Sequence, residues 1–210
     1  MKISIITVTL NSDNTISDTL NSVLSQNYKN IEHIIVDGGS TDNTLKILKN
    51  YPNKNKKIFI KKKFGIYKSI NFAISKSSGK FICILNSDDI FQSNDTIKNL
   101  VKKISKNKKI DIFLGNVAYF ADSNYYKVNR YYSSKNFSQW KMKFGLMPPH
   151  PASLIKRSVY SKYGKYAEDF KIAADFELFL RFLFIHKIKY KILDDIIVRM
   201  RSGGISGKNI

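Results

Sequence analysis

The chain of 210 residues is long enough for one α/β domain with a full core. Its 43% apolar content and 14 phenylalanines exclude a disordered chain, and its single cysteine, Cys83, excludes an internal disulfide framework and fits a reducing compartment. A formal charge of +20 leaves two readings open, lysines scattered over a solvated surface or attraction for anions such as nucleotides, lipid headgroups or nucleic acid.

Residues 3–10, Ile-Ser-Ile-Ile-Thr-Val-Thr-Leu, form a β-branched run that predicts a first, central strand. The run is too short for a signal peptide, and Asn11-Ser12-Asp13 offers no small-residue cleavage site. After this polar break, Ile16, Leu20, Val23 and Leu24 recur at helical spacing. Residues 32–36 predict a second strand, closed by Asp37-Gly38-Gly39-Ser40-Thr41-Asp42. Its glycines permit positive φ, and its Ser, Thr and Asp can cap the helix that carries Leu45, Ile47 and Leu48. A third strand over 58–60 and a third helix over 66–74 lead to a fourth strand, 81–85, which is apolar enough to be buried on both faces and places Cys83 as a packed thiol. Four strand–helix alternations imply right-handed crossovers and a mostly parallel sheet.

At the end of the fourth strand stand Asn86-Ser87-Asp88-Asp89. Ligands bind at that edge of open α/β sheets. Two adjacent carboxylates there repel each other unless a cation sits between them and a polyanion, and hard oxygen ligands suit Mg²⁺ or Mn²⁺ with phosphates completing the shell. The alternative is an acidic turn that caps the next helix. On that helix Lys98, Lys102, Lys103 and Lys106, with Lys108 and Lys109 after it, oppose a core side of Leu100, Val101 and Ile104. Such a basic face suits an anionic membrane, and without interleaved aromatics it does not suit RNA. No apolar run reaches the length of a membrane span, residues 179–185 being broken by Arg181, so a cytoplasmic protein is expected.

A strand over 111–121 with a hairpin partner over 125–132 comes next. Residues 137–147 carry Trp140, Phe144, Leu146 and Met147 with no clean period, and are read as core or as the lining of an acceptor groove. Pro148-Pro149-His150-Pro151 fixes the backbone around one histidine, which is either packed or a ligand contact. A strand at 154–155 and a short helix over 157–163 precede Ile172-Ala173-Ala174-Asp175-Phe176-Glu177-Leu178, the opening of a last helix with Phe176, Phe179, Leu180 and Leu183 at helical spacing. Asp175 at its start is a first-turn acid favoured by the helix dipole or a catalytic group. A final strand over 189–198 leads into a loop from Arg199 to Gly207 with two arginines and three glycines, a basic tail or a cover for a diphosphate.

Val-Thr-Leu-Asn, Asp37-Gly38-Gly39-Ser40-Thr41-Asp42, Gly65-Ile66-Tyr67 with Asn71, and Leu85-Asn86-Ser87-Asp88-Asp89 stand in an order that resembles the inverting family 2 glycosyltransferases of GT-A fold, as do the His150-Pro151 segment and the Asp175 segment. The resemblance covers nearly the whole chain. It implies an α/β, Rossmann-like GT-A domain over 1–210, with a nucleotide-sugar half (1–115) and an acceptor half with the C-terminal loop (116–210). It implies that Asp37 holds the nucleotide base, with Thr7 and Thr9 as neighbours, that Asp88 meets ribose or diphosphate, that Asp89 binds the Mg²⁺ or Mn²⁺, and that Asp175 is the catalytic base. Further donor or acceptor contacts are implied at Lys68, Asn71, His150, Glu177, Arg201 and Ser206, with Glu177 a second candidate base.

The implied reaction is metal-dependent hexosyl transfer from a UDP-sugar to a glycan or lipid-linked acceptor in surface polysaccharide biosynthesis, at the inner face of a bacterial plasma membrane and without nucleic acid. The sequence departs from the family at Lys61, Lys62, Lys63, Phe64 and Lys68, where acids are usual, and it ends early. Those departures fit a weakened nucleotide-binding relative, and a basic membrane-surface or nucleic-acid module is the third reading.

Overall fold

A computed structural model describes residues 1–121 and 124–202 of the chain. The β-branched runs form strands as the periodicity predicts: β1 Ile3–Thr9, β2 Ile31–Asp37, β3 Lys56–Ile60 and β4 Phe81–Ile84, joined by the helices α1 Ile16–Leu24, α2 Thr44–Asn50 and α3 Ile66–Lys76. A two-residue strand β5, Ile90–Phe91, follows the Ser-Asp-Asp turn and precedes α4, Thr96–Lys106. The second half contains β6 Ile112–Ala121, β7 Asn124–Tyr132, β8 Ser153–Lys156, α5 Arg157–Tyr163, α6 Ala174–Phe179 and β9 Tyr190–Arg201.

Among the described residues nine strands form one sheet in the order β3-β2-β1-β4-β8-β6-β9-β5, with β7 paired to β6. Strands β3, β2, β1 and β4 run parallel, β8 is antiparallel to both β4 and β6, and β9 runs parallel to β6. In β1 and β2 alternate side chains enter cores on opposite faces. Ile6, Val8, Ile34 and Val36 pack with Ile70, Ala73 and Ile74 of α3 and Leu178 of α6. Ile3, Ile5 and Ile31 pack with Val23 of α1 and with Ile97, Leu100 and Ile104 of α4. Both faces are therefore covered, and chemistry is confined to the strand ends. Cys83 is fully buried, and burial pushes its thiol up to about 12, as suits a packed rather than reactive sulfur.

Three expectations are corrected. The last helix changes pitch, α6 passing into a π-helical turn at Leu180–Ile185, because a segment apolar on nearly every side gives no single period to hold. Strand β9 runs on to Arg201, so Arg199 and Arg201 are strand residues rather than loop residues, and Gly203 to Gly207 lie outside the described residues. Trp140, Phe144 and Leu146, on and beside the 3₁₀ turn Gln139–Phe144, are exposed by 57%, 71% and 54%, so they are not core.

The opposite, N-terminal edge of the sheet is pinned by Glu32, whose side chain is 2% exposed. Its carboxylate accepts from Ser4 Oγ (2.6 Å), the Ser78 N–H (2.6 Å) and the Gly79 N–H (2.9 Å), and it ion-pairs with Lys57 at 2.9 Å and Lys2 at 3.3 Å. Gly79 is required here, since a Cβ would stand 2.5 Å from the Ser4 nitrogen. Burial opposes ionisation, but the donors Ser4, Lys57 and Ser78 outweigh it and hold the carboxyl down at about 2. Glu32→Gln is expected to lower stability by about 2 kcal/mol at pH 7. A depressed folded-state pKa gives stability that is full above about 4.5 and fades toward about 2. Urea unfolding of both proteins at pH 7 and pH 3 should therefore show a smaller gap at the lower pH.

Candidate active site

At the C-terminal edge, β1 and β2 end side by side, with Thr9 opposite Asp37. Asp37 is fully buried and shapes the turn that follows it. Its Oδ1 accepts from the N–H groups of Gly39 and Ser40, both at 2.8 Å, and its Oδ2 accepts from Ser40 Oγ at 2.6 Å. Gly39 has φ +99°, where a side chain would be strained, and the turn lies against Lys62. Asn11, at φ 49°, ties this turn to the end of β1 by accepting from the Thr41 N–H at 2.8 Å. The Thr9 hydroxyl is buried at this rim, with no hydrogen-bond partner among the described residues.

The Asn86-to-Asp89 turn is held from beneath by α1: Thr19 Oγ1 donates to the Asp89 carbonyl at 2.8 Å, and Ser12 and Ser87 share a hydrogen bond of 3.0 Å. Asp88 is half-buried and Asp89 is 1% exposed. One Asp89 oxygen accepts from Asn86 Nδ2 at 3.0 Å, while Oδ1 is buried with no hydrogen-bond partner among the described residues. Burial first and the Asp88 charge second push the Asp89 carboxyl up to about 8, against Asn86 and Arg201, which pull it down. Arg201 reaches this edge from β9 and is anchored by Asp18 of α1 at 3.1 Å.

A second cluster gathers around α6. Strand β8 is antiparallel to β4, so His150, on the 3₁₀ turn His150–Ala152 before it, lies at the same edge as Leu85 and Asn86. His150 Nε2 hydrogen-bonds the Tyr166 hydroxyl, and Tyr67 of α3 stacks on Tyr166 with ring centroids 5.8 Å apart. The Tyr67 hydroxyl accepts from the Ala174 N–H at 3.2 Å, which fixes the start of α6 and with it Asp175. Ala173 holds φ 70° immediately before, a left-handed conformation costing roughly 1–2 kcal/mol in a residue with a Cβ. Burial pulls the His150 imidazole below its ordinary range and Asp175 partly restores it, while burial and Asp175 together raise Tyr67. The Asp175 carboxylate thus lies within electrostatic reach of both.

Several candidates have other work. Thr7 is fully buried and bonds inward, to His33 Nε2 at 3.0 Å and the Leu85 carbonyl at 2.8 Å. Asn71 clamps the 166–168 segment, donating to the Tyr166 carbonyl (2.8 Å) and Glu168 (2.9 Å) and accepting from the Tyr166 N–H (3.0 Å). Both oxygens of Glu177 are engaged by Arg181 at 2.7 and 2.8 Å, and this guanidinium also holds the Tyr163 and Lys165 carbonyls, which ties Glu177 to the 163–165 segment. Lys68 lies over the Phe64 ring at 4.7 Å and Lys61 over Phe72 at 4.6 Å. Ser206 lies outside the described residues. Tyr166 and Asp18 were missed. The stretch around Tyr166 has no period to flag it, and Asp18 looks like an ordinary first-turn acid.

The Asp88–Asp89 pair fits a divalent cation: a buried carboxylate oxygen without a donor, next to a second acid, is the arrangement that a cation satisfies. Among the described residues no group of three or more His, Cys, Asp or Glu gathers to cage a metal, so phosphate oxygens would have to complete the shell.

Comparison with known proteins gives a family and a fold. The family model described as glycosyl transferase family 2 matches residues 4–164. An uncharacterized glycosyltransferase of Mycobacterium tuberculosis is 31% identical over 181 residues, covering 85% of this chain and 68% of that protein. Among solved structures, S. aureus TarS 1-349 in complex with UDP-GlcNAc matches with a TM-score of 0.74 at 24% identity, over 96% of this chain and 59% of that one. The mannosyltransferase PcManGT from Pyrobaculum calidifontis, in complex with GDP-Man and Mn²⁺, matches with a TM-score of 0.69 at 16% identity, over 96% and 56%. The chain therefore spans less than two thirds of these two solved chains, and it shares their GT-A fold.

A carboxyl whose folded-state pKa is raised stabilises the fold below its ordinary value, and that contribution is lost as pH climbs through the raised one. For Asp89 the window runs from about 3.8 to about 8. In cation-free buffer, Asp89→Asn is expected to melt about 4 °C above the wild type at pH 8.5 and close to it near pH 4. Calorimetric melting curves across that range check this, and a gap that shrinks with rising pH would contradict it.

Proposed function

Because the chain belongs to glycosyl transferase family 2, we propose that it transfers a hexose from a UDP-sugar to a hydroxyl of a glycan or lipid-linked acceptor, in one inverting displacement. The observation that carries this reading is the buried Asp89, one oxygen of which has no hydrogen-bond partner among the described residues, beside Asp88 at the C-terminal edge of the sheet. Similarity to TarS, solved with UDP-GlcNAc, supports a uridine donor.

In this reading residues 1–115 seat the donor and residues 116–210 the acceptor. The Asp37 turn and the Thr9 hydroxyl form the seat of the base, and Asp88 with Arg201 faces ribose and diphosphate. Asp89 and Asp88 would hold Mg²⁺ or Mn²⁺, which would supply Lewis-acid stabilisation of the departing diphosphate. Asp175 accepts the acceptor hydroxyl proton. The acceptor oxygen forms its bond to the anomeric carbon as the bond to the diphosphate breaks, and the electron pair leaves with UDP. Tyr67 and the left-handed Ala173 hold the base in place, so its carboxylate need not be reoriented during the step.

The setting proposed is surface polysaccharide assembly at the inner face of a plasma membrane, with the lysines of α4 turned to anionic lipid. Among the described residues no helix is long and apolar enough to cross a membrane.

Asp175→Asn is expected to reduce UDP release from the preferred UDP-sugar by at least about 10³-fold, while UDP affinity measured by calorimetry with Mn²⁺ stays within about threefold. Asp89→Ala should lose the Mn²⁺-dependent part of UDP binding. An Asp175→Asn protein that turns over at the wild-type rate would remove Asp175 from the mechanism.

A further inference from the structure

The N-terminal edge of the sheet carries a cavity of about 430 Å³ with a different chemistry. Its wall consists of Lys108 and Lys109 after α4, Lys156 at the end of β8, Lys187 and Lys189 before β9, and the rings of Tyr163 and His186, which lie 4.5 Å apart. Asp111 is the one carboxylate in the wall, and it is engaged by Lys156 at 2.8 Å. Among the described residues Lys108, Lys109, Lys187 and Lys189 have no carboxylate within ion-pair distance. Four exposed ammonium groups without a carboxylate partner, beside the paired Lys156, give this cavity a net positive charge that an anion of several charges would offset.

A second feature points the same way. Lys187 has φ 49° and sits just past the helical turn Leu180–Ile185, which closes through the His186 N–H to the Arg181 carbonyl at 2.9 Å and the Ile188 N–H to the Phe182 carbonyl at 2.9 Å. Glycine is the usual residue at such a left-handed helix end, and a side chain there is strained. The chain nonetheless places an ammonium at this position, in the cavity wall.

Register separates this cavity from the candidate active site. Lys156 pairs with Phe81 and Ile112 with Tyr190, at the strand ends opposite to Asp37 and Asp89. The seven residues of β2 set the two edges roughly 20 Å apart, at about 3.3 Å per residue.

We propose that this cavity is a second anion site, selective for multivalent phosphate and independent of the sugar-nucleotide site. Lysines fit this ligand as strongly hydrated point charges. The phosphate comes from a lipid headgroup or from a soluble polyphosphate, which share this chemistry.

The test is calorimetric titration of the whole chain with inorganic tripolyphosphate in buffer free of divalent cations. Lys187→Gly with Lys189→Ala is the informative variant, since glycine relieves the left-handed strain and the fold should be retained. Binding should weaken at least tenfold in that variant. It should hold in Lys46→Ala with Lys49→Ala, an equal charge change on the exposed side of α2, and in Asp89→Ala, which alters the opposite edge. Absence of saturable binding in the wild type, or equal weakening in the α2 control, overturns the proposal. Sedimentation with phosphatidylglycerol vesicles separates the sources. A loss of vesicle binding confined to the Lys187–Lys189 variant assigns the phosphate to lipid, and unchanged vesicle binding alongside weakened tripolyphosphate binding assigns it to a soluble ligand.

Discussion

A carboxylate removed from water beside a half-buried second one, at the end of β4, sets the terms for the rest of the molecule. Like charges in adjacent residues repel, and burial deepens the penalty because the charged form loses its solvent. Asp89 receives one side-chain donor, from Asn86, and its second oxygen has no hydrogen-bond partner among the described residues. A neutral replacement would be easier to fold around. What holds the pair in place is the frame: α1 grips the turn through Thr19, and parallel β1 and β4 fix where the turn begins. The electrostatic tension is thus carried by packing on both faces of the sheet rather than relaxed by a local shift.

The second half of the rim is built from rings instead of charges. Tyr67 comes from the first half of the chain, Tyr166 and His150 from the second, and their contacts join the two at the start of α6. Asp175 therefore depends on three segments distant in sequence. A carboxylate that must take a proton from a bound hydroxyl gains from being held rigidly, since the orientation is then settled before the substrate arrives. The strained Ala173 is consistent with this, because a left-handed alanine persists only where its surroundings leave no alternative.

Much of this was legible in the sequence, and the limits have physical causes. Strand ends could be read because β-branched runs stop abruptly at acids, which places Asp37, Asp88 and Asp89 on one edge once the connections are right-handed. The inward turn of Thr7 could not be read: β1 is buried on both faces, so alternation does not say which residues look toward a ligand. Glu177 carried its own signal, an arginine four positions on, yet a motif position drew more weight than an i,i+4 pair. Asn71 and Arg201 act through partners 95 and 183 residues away, and no local pattern encodes such contacts. The exposed Trp140 and Phe144 looked like core because aromatic content alone cannot distinguish a buried segment from a surface one.

The two edges of the sheet show why burial alone does not decide what an acid does. Glu32 and Asp89 expose almost equally little surface, 2% and 1%, but Asp89 lies deeper in the protein, and their carboxyls move in opposite directions, down to about 2 and up to about 8. Burial raises both. Glu32 is surrounded by Ser4, Ser78, Gly79 and two lysines, whose combined donation exceeds the desolvation penalty and makes ionisation part of the fold. Asp89 has a like charge for a neighbour and too few donors. An anion with its donors built in stabilises the protein by itself, whereas an anion short of donors is stabilised only by what binds to it. The same backbone can accommodate either, since strand ends in a sheet covered on both faces are where unpaired groups can reach solvent. Depth of burial together with the distribution of donors is therefore what separates the Glu32 carboxylate from the Asp89 carboxyl.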